Sequence, residues 1–222
     1  MQSISALAAG FLLDMFTGCI SIWGCIAPYV LSYFYHFGND GKGQKDLSII
    51  DAIFVVPIMM ACVSVMNLLF LYYKEYNPKI FLTIGSAIAI SGCYLSTKAS
   101  TYNNFVCTFA IFVGSGIGLC FLPPVYCNFK WMPNNKGFVM GFVRSGLGFG
   151  SFLFGLMSME ICNPGNEEPS IITQNGSKFF STEVASRVPE MLRFFATCWL
   201  FIAIMSVILI NKPPAEEEQR SS

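Results

Sequence analysis

The chain is 222 residues long, which is enough for one or two soluble domains. Its composition excludes an ordinary water-facing surface, because 54% of the residues are hydrophobic and only 12% are charged, against about 25% charged residues in globular proteins. The formal net charge is zero and the sequence has no basic block, so nucleic acid is not an expected partner.

Six apolar segments predict transmembrane helices, because a helix needs about 20 residues to cross the hydrocarbon core. They span residues 11–36, 51–73, 80–97, 105–129, 137–159 and 191–210. None shows the alternation with a period of two that a membrane β-barrel requires. We therefore expect an all-α integral membrane protein with a transmembrane domain at 1–212, a polar loop at 161–189 and a polar tail at 213–222.

The charges that flank the six segments give no orientation in the membrane. With both termini on one side, that side and the opposite side each carry six lysine and arginine residues, so the positive-inside rule has no preference. The plasma, vacuolar and mitochondrial inner membranes are all candidate locations.

Two ionisable residues lie inside the predicted spans, Asp14 in the first and Arg144 in the fifth. A charge at mid-bilayer costs about 2.5–3.5 kcal/mol on insertion scales, so such residues usually find a partner or water. Both lie roughly 6–10 Å from the same membrane face, and we expect them to pair or to share a polar cavity. In one interpretation Arg144 binds an anionic substrate. In the other, the two form a structural ion pair, or Arg144 reaches the headgroups.

Aromatic residues give the other candidates for a substrate cavity, namely Trp23, Tyr29 and Tyr126. Aromatic packing explains Trp23 and Tyr29 equally well. The nine cysteines form no C-x-x-C pair, and the sequence offers no Ser–His–acid set and no cluster of metal ligands. We therefore expect no metal, no cofactor and no enzymatic activity.

Glycines concentrate in the fourth and fifth segments, where three pairs have the small-xxx-small spacing that lets helix backbones approach closely in lipid. We expect these glycines to lie at helix–helix contacts. The pairs are Gly114/Gly118, Gly137/Gly141 and Gly146/Gly150.

Prolines interrupt the first and fourth segments at similar places. Pro28 lies late in the first segment, and Pro123 and Pro124 lie late in the fourth. The two segments correspond to each other if the chain consists of two inverted three-helix repeats, and matched interruptions of this kind point to a transport site. The alternative is that proline is simply common in membrane helices.

The most specific sequence pattern begins at the fourth segment and ends at the start of the fifth. It reads Gly114-Ser115-Gly116-Ile117-Gly118, then Pro123-Pro124-Val125, then Lys130-Trp131-Met132-Pro133-Asn134-Asn135-Lys136-Gly137. With Trp23-Gly24-Cys25-Ile26-Ala27-Pro28-Tyr29 in the first segment, it resembles the major facilitator superfamily, in its monocarboxylate and oxalate/formate antiporter-like branch. The resemblance implies six helices arranged as two inverted three-helix repeats, which together form half of a larger transporter.

The sequence departs from this branch in three respects. Lys74 and Glu75 stand where the superfamily usually has an Asp-Arg pair that latches two halves together, and only Asn77-Pro78-Lys79 keeps the end of that motif. Arg144 replaces a small or apolar residue. The third departure is that this sequence lacks the second six-helix half, which in this branch carries most of the basic residues implicated in carboxylate binding.

Two functions are compatible with these features. The first is transport of small carboxylate anions by a half-transporter that pairs with a second copy or with another half, because alternating access needs two bundles. The second is a transport-inactive accessory or structural subunit of a larger membrane complex, for example in the mitochondrial inner membrane. In both cases the expected partners are the lipid bilayer and another membrane protein.

Overall fold

The computed structural model describes residues 2–74, 76–173 and 176–210, and the polar tail expected at 213–222 lies outside these ranges. In the described part, six helices are long and apolar enough to cross a membrane. The all-α integral membrane fold expected from the sequence is therefore confirmed.

The six helices are numbered α1 to α6 in chain order. α1 runs Gln2–Thr17 and continues through a 3₁₀ turn, Gly18–Ile20, into a second part, Trp23–Phe37. The others are α2 (Ile49–Tyr72), α3 (Pro78–Ser96), α4 (Tyr102–Trp131), α5 (Pro133–Cys162) and α6 (Thr182–Leu209). A short antiparallel hairpin of β1 (Ile171–Ile172) and β2 (Lys178–Phe179) lies between α5 and α6.

α4 contains two irregular turns. A π-helical stretch, Cys107–Val113, precedes its glycine-rich part, and the helix is interrupted again before Pro123–Trp131. Pro123 and Pro124 occupy the first turn of that last part, where their missing N–H groups leave no intrahelical hydrogen bond unmade. The proline pair therefore marks a break in α4 and the start of a new helical part.

α1 begins earlier than the predicted segment at 11–36, because the residues before that segment also pack inside the bundle. Ala6 is fully buried. The position that a Cβ would occupy at Gly10 is 2.8 Å from Asn128 Nδ2 of α4 and 3.0 Å from a methyl carbon of Val143 on α5. Small residues at this end let α1 approach two helices at once.

The helix contacts have the pattern of two inverted repeats. α1 packs mainly against α5 and α6, α4 packs mainly against α2 and α3, and α3 packs against α6. Exchanging α1 with α4, α2 with α5 and α3 with α6 reproduces these main contacts. This is the arrangement that the resemblance to a facilitator half implies.

Two glycines of α5 lie at its contact with α1. A Cβ atom at Gly146 would overlap the carbonyl oxygen of Phe11, and one at Gly150 would overlap the carbonyl oxygen of Met15. Because the obstructing atoms belong to the backbone, a side chain at either position would push the two helices apart.

The equivalent contact in the other repeat, between α4 and α2, also depends on glycine. The Cβ position at Gly114 is 3.0 Å from Met59 Cα, and that at Gly118 is 2.8 Å from Val63 Cα. Glycines therefore lie at close backbone approaches in both repeats.

The hairpin between α5 and α6 is anchored on the second part of α1. Phe179 is fully buried, and its ring stacks on Tyr35 with 4.4 Å between centroids. The Phe180 N–H donates to Ser32 Oγ at 2.9 Å, and His36 Nε2 donates to the Phe180 carbonyl oxygen at 3.0 Å. These contacts hold one end of the polar loop at 161–189 against a membrane helix.

α2 and α5 have the smallest buried shares of the six described helices. Large apolar side chains cover much of both exposed surfaces, among them Val65 and Leu68 on α2 and Phe149 and Phe152 on α5. The two helices occupy equivalent places in the inverted repeats, so the bundle has two related apolar surfaces.

Candidate functional site

The structure brings the two charged residues of the spans together. Arg144 Nη1 of α5 donates a hydrogen bond to Asp14 Oδ2 of α1 at 2.9 Å. The Asp14 side chain is completely buried, whereas the Arg144 side chain is 22% exposed. The pair therefore has a buried acid and a base that reaches the surface of the bundle.

The surroundings of the pair fix the position of the guanidinium. Gly146 and Gly150, on the turns of α5 that follow Arg144, bring the backbone of α5 against α1. The Phe121 ring of α4 lies under the guanidinium, with 3.8 Å from Cζ to the ring centroid, in a cation–π contact. Asp14 Oδ1 has no hydrogen-bond partner among the described residues. Three helices thus meet at this ion pair.

Open space borders Arg144 on its own helix. Gly137, Gly141 and Gly148 lie at helical spacing on either side of it, and all three are exposed. No atom of another described element lies within 4 Å of the Cβ position at any of the three. Gly137 and Gly141, expected at a close helix contact, instead line an open surface because no neighbouring helix packs there.

An exposed strip of small residues continues past the ion pair along α1. Ser21, Gly24, Cys25 and Pro28 are exposed and follow Asp14 at roughly helical spacing. Together with the glycines of α5, this strip forms an exposed surface of mostly small residues.

The three aromatic candidates lie away from the ion pair. Trp23 is buried and donates through Nε1 to the Ala52 carbonyl oxygen at 2.8 Å, at the start of α2. Tyr29 is buried beneath Phe180, with 4.8 Å between ring centroids. Tyr126 is half-buried and packs edge-on against a ring of α2. Their contacts are those of aromatic packing, the alternative that the sequence left open for Trp23 and Tyr29.

Asn128 of α4 is a polar residue that the sequence analysis missed. It is completely buried, and its Nδ2 donates to the Ala6 carbonyl oxygen of α1 at 3.0 Å and to the Pro124 carbonyl oxygen at 2.9 Å. The sequence did contain a signal for this contact, because an amide side chain at the end of an apolar segment needs hydrogen-bond partners. Asn128 joins α4 to α1 one helix turn beyond the proline pair.

A cavity of about 590 Å³ lies elsewhere, between the α1–α2 loop and the start of α4. Its lining includes Gln44, Asp46, Asp51 and Tyr102. Gln44 Oε1 accepts the Tyr102 N–H at 2.7 Å, and Asp51 accepts the Ser48 N–H at 2.8 Å as part of a helix cap. These polar groups hold the loop in place, and Arg144 and Asp14 are not among the residues that line the cavity.

Comparison with known proteins identifies distant relatives among transporters. No protein-family model matches the sequence. The chain is similar to Apicoplast pyruvate carrier 1 of Toxoplasma gondii, with 23% identity over 98% of this chain and 47% of the relative. It is also similar to Monocarboxylate transporter 12-B of Danio rerio (24% identity, 58% of this chain, 26% of the relative) and Monocarboxylate transporter 12 of Homo sapiens (24%, 66% and 27%).

The matches cover a larger share of this chain than of its relatives. The chain spans about half the length of the Toxoplasma protein, and the matches to the two monocarboxylate transporters span about a quarter of theirs. These relatives are transporters and not enzymes. Together with the six apolar helices, the likeness supports a place for this multi-pass membrane protein in a transporter-like membrane family.

Proposed function

We propose that the chain is one six-helix half of a membrane transporter for small carboxylate anions, and that Arg144 binds the carboxylate. The observation that carries the proposal is the unequal exposure of the ion pair, because Asp14 is fully buried while Arg144 is 22% exposed beside open space. A guanidinium is well suited to a carboxylate, which it binds through charge-assisted hydrogen bonds. The names of the relatives, a pyruvate carrier and monocarboxylate transporters, supply the substrate class.

The proposal includes a second six-helix bundle, either another copy of this chain or a separate half. Alternating access places the substrate between two bundles that rock against each other. The exposed apolar surfaces of α2 and α5 support this part of the proposal, because the two helices are equivalent in the inverted repeats and have the smallest buried shares of the six described helices.

Native mass measurement and uptake by reconstituted liposomes test the proposal together. We expect the purified chain to form an assembly of two bundles and to take up labelled pyruvate. Arg144→Gln should lower uptake by at least about tenfold, because a hydrogen bond to a charged group contributes roughly 1.5–3 kcal/mol. Arg144→Lys, which keeps the charge but loses the forked geometry, should retain part of the uptake.

The matched control is Arg187→Gln, which breaks an exposed ion pair with Glu183 (2.8 Å) and should leave uptake unchanged. If Arg144→Gln assembles normally and transports at the wild-type rate, Arg144 is not the carboxylate-binding residue. A monomer that shows no uptake of any small monocarboxylate contradicts pairing with a second copy, and the absence of uptake also with a co-purified six-helix partner contradicts the proposal as a whole.

A second candidate function is that of a transport-inactive accessory subunit. The turn between α2 and α3 favours it, because Lys74 occupies a position where the Asp-Arg latch of facilitator halves is expected. In the structure, Asn77 instead caps α3 by accepting the Lys79 N–H at 3.0 Å. Co-purification with a large unrelated membrane assembly, without uptake, would support this function over transport.

A further inference from the structure

The Arg144 guanidinium has more hydrogen-bond donors than Asp14 uses. A guanidinium carries five N–H groups in one plane. Among the residues that the structure describes, Arg144 donates one hydrogen bond, from Nη1 to Asp14 Oδ2. The Phe121 ring lies 3.8 Å from Cζ against one face of the guanidinium, and the Arg144 side chain is 22% exposed. A carboxylate binds at the edge of a guanidinium through two parallel N–H···O bonds.

The charges at this position cancel before any substrate binds. Asp14 contributes one negative charge and Arg144 one positive charge. Residues 102–129 of α4 and 194–209 of α6 contain no Asp, Glu, Lys or Arg. The nearest cation on α5, Lys136, precedes Arg144 by about 12 Å along the helix axis. A bound monocarboxylate therefore leaves one uncompensated negative charge, and a dicarboxylate leaves two.

We propose that Asp14 limits the charge of the substrate, so that the site accepts monocarboxylates and rejects dicarboxylates. This inference rests on the carboxylate-binding function proposed above for Arg144. A second uncompensated charge between two largely apolar bundles is costly, because apolar surroundings solvate and screen it poorly. Asp14 raises that cost: its Oδ1 has no hydrogen-bond partner among the described residues, and Arg144 is the residue that offsets its charge.

Asp14→Asn separates this role from a structural one. The asparagine side chain has almost the same shape, and its amide oxygen accepts the same hydrogen bond from Arg144. The variant therefore removes a negative charge and keeps the contact between α1 and α5. Because the lost repulsion acts once on a monoanion and twice on a dianion, the substitution favours the dianion.

Pyruvate and malonate are matched probes, since both have three carbons. Pyruvate carries one carboxylate and malonate carries two. Their binding to the purified protein is measured by calorimetry, and their uptake is measured in liposomes at neutral pH. We expect the wild type to prefer pyruvate by at least about tenfold, and Asp14→Asn to reduce this preference by at least about tenfold. Glu183→Gln, which removes an exposed carboxylate at the start of α6, should leave the preference unchanged.

Three of the four possible outcomes separate the charge limit from the transport function. If the wild type binds malonate as tightly as it binds pyruvate, the charge limit is wrong, and no variant is needed to show it. If Asp14→Asn binds pyruvate with an unchanged preference, Asp14 does not select charge, although Arg144 still binds carboxylates. Binding with the expected selectivity but without uptake supports the charge limit and contradicts transport. If the wild type binds neither acid, both proposals are overturned.

Discussion

Gly150 shows how much the bundle depends on single positions. At this residue the backbone of α5 lies against the carbonyl oxygen of Met15, and the turn before it, at Gly146, lies in the same way against Phe11. A backbone carbonyl cannot turn aside as a side chain does. A methyl group at either position therefore moves a helix, and with it the ion pair between Asp14 and Arg144.

Gly150→Ala should destabilise the protein by about 1–3 kcal/mol, the usual cost of overpacking a well-packed contact. Gly148→Ala is the matched control on the same helix, because open space surrounds its Cβ position. The control should be neutral or slightly stabilising, since alanine favours helix over glycine by up to about 1 kcal/mol. Unfolding by denaturant in detergent micelles measures both, and equal effects would show that Gly150 is not at a tight contact.

The residues of the ion pair could be found from the sequence, and their environment could not. Asp14 and Arg144 are conspicuous as charges in apolar segments, and counting residues from the ends of the segments places them at one depth. Phe121 is one of many phenylalanines in the sequence. Its contact with the guanidinium depends on the angle at which α4 crosses α5, which arises from the packing of the whole bundle.

At the scale of elements, the hairpin between α5 and α6 is held mainly by its second strand. Phe179 is fully buried against Tyr35, whereas Ile172, on the opposite strand, is 68% exposed. Loss of a buried phenylalanine side chain costs about 3–5 kcal/mol in a protein core. The second strand therefore contributes most of the packing, while Ile171 of the first strand is partly buried against the same core.

Phe179→Ala should release the hairpin from α1, and Ile172→Ala should not. Hydrogen exchange in the segment 176–182 measures this, because the Phe180 N–H is bonded to Ser32 of α1. We expect exchange at least about tenfold faster in Phe179→Ala than in the wild type. Similar exchange in the two variants would mean that the hydrogen bonds to α1, and not the ring of Phe179, hold the segment.

The sequence patterns predicted where the long helices lie better than they predicted which faces of those helices contact a neighbour. The spacing of Gly137/Gly141 is the same as that of Gly146/Gly150, yet only the second pair meets another helix. Spacing identifies a face of small residues, but the presence of a neighbour on that face depends on residues far away in the chain. For the same reason the loop at 161–189, which is polar in composition, gave no sign that Phe179 and Phe180 dock on α1.

At the scale of the whole molecule, the six helices and their inverted arrangement could be predicted from the sequence. Lipid requires each spanning segment to satisfy its own backbone hydrogen bonds, so length and hydropathy nearly determine the helices. The early start of α1 was missed in the sequence although Gln2–Ile20 is apolar enough to span a membrane, and the small residues of its first turns become buried through contact with α4 and α5.

The proposed pairing with a second bundle gives a prediction about two exposed phenylalanines. Phe152 on α5 and Phe201 on α6 are similarly exposed, at 61% and 65%. If α5 faces the second bundle, Phe152→Ala should weaken assembly by at least about fivefold, because a central aromatic residue often contributes 1 kcal/mol or more to an interface. Phe201→Ala should leave assembly unchanged.

Energy transfer between labelled chains in lipid bicelles measures the assembly constant of both variants. A stronger effect of Phe201→Ala than of Phe152→Ala would place the interface on α6 and contradict the proposed arrangement. Equal, negligible effects would exclude both positions from the interface.

The length of α1 has a mechanical consequence. From Gln2 to Phe37 it rises about 54 Å, compared with a hydrocarbon core of about 30 Å. His36, which holds the hairpin, lies about 33 Å from Asp14 along this rod. If the two parts of α1, joined by the 3₁₀ turn Gly18–Ile20, tilt together by about 10° about the ion pair, the far end moves by roughly 6 Å, because displacement grows with distance from the pivot. A small tilt of α1 at Asp14 would therefore move the hairpin, which is attached near the far end of the helix, by several ångströms.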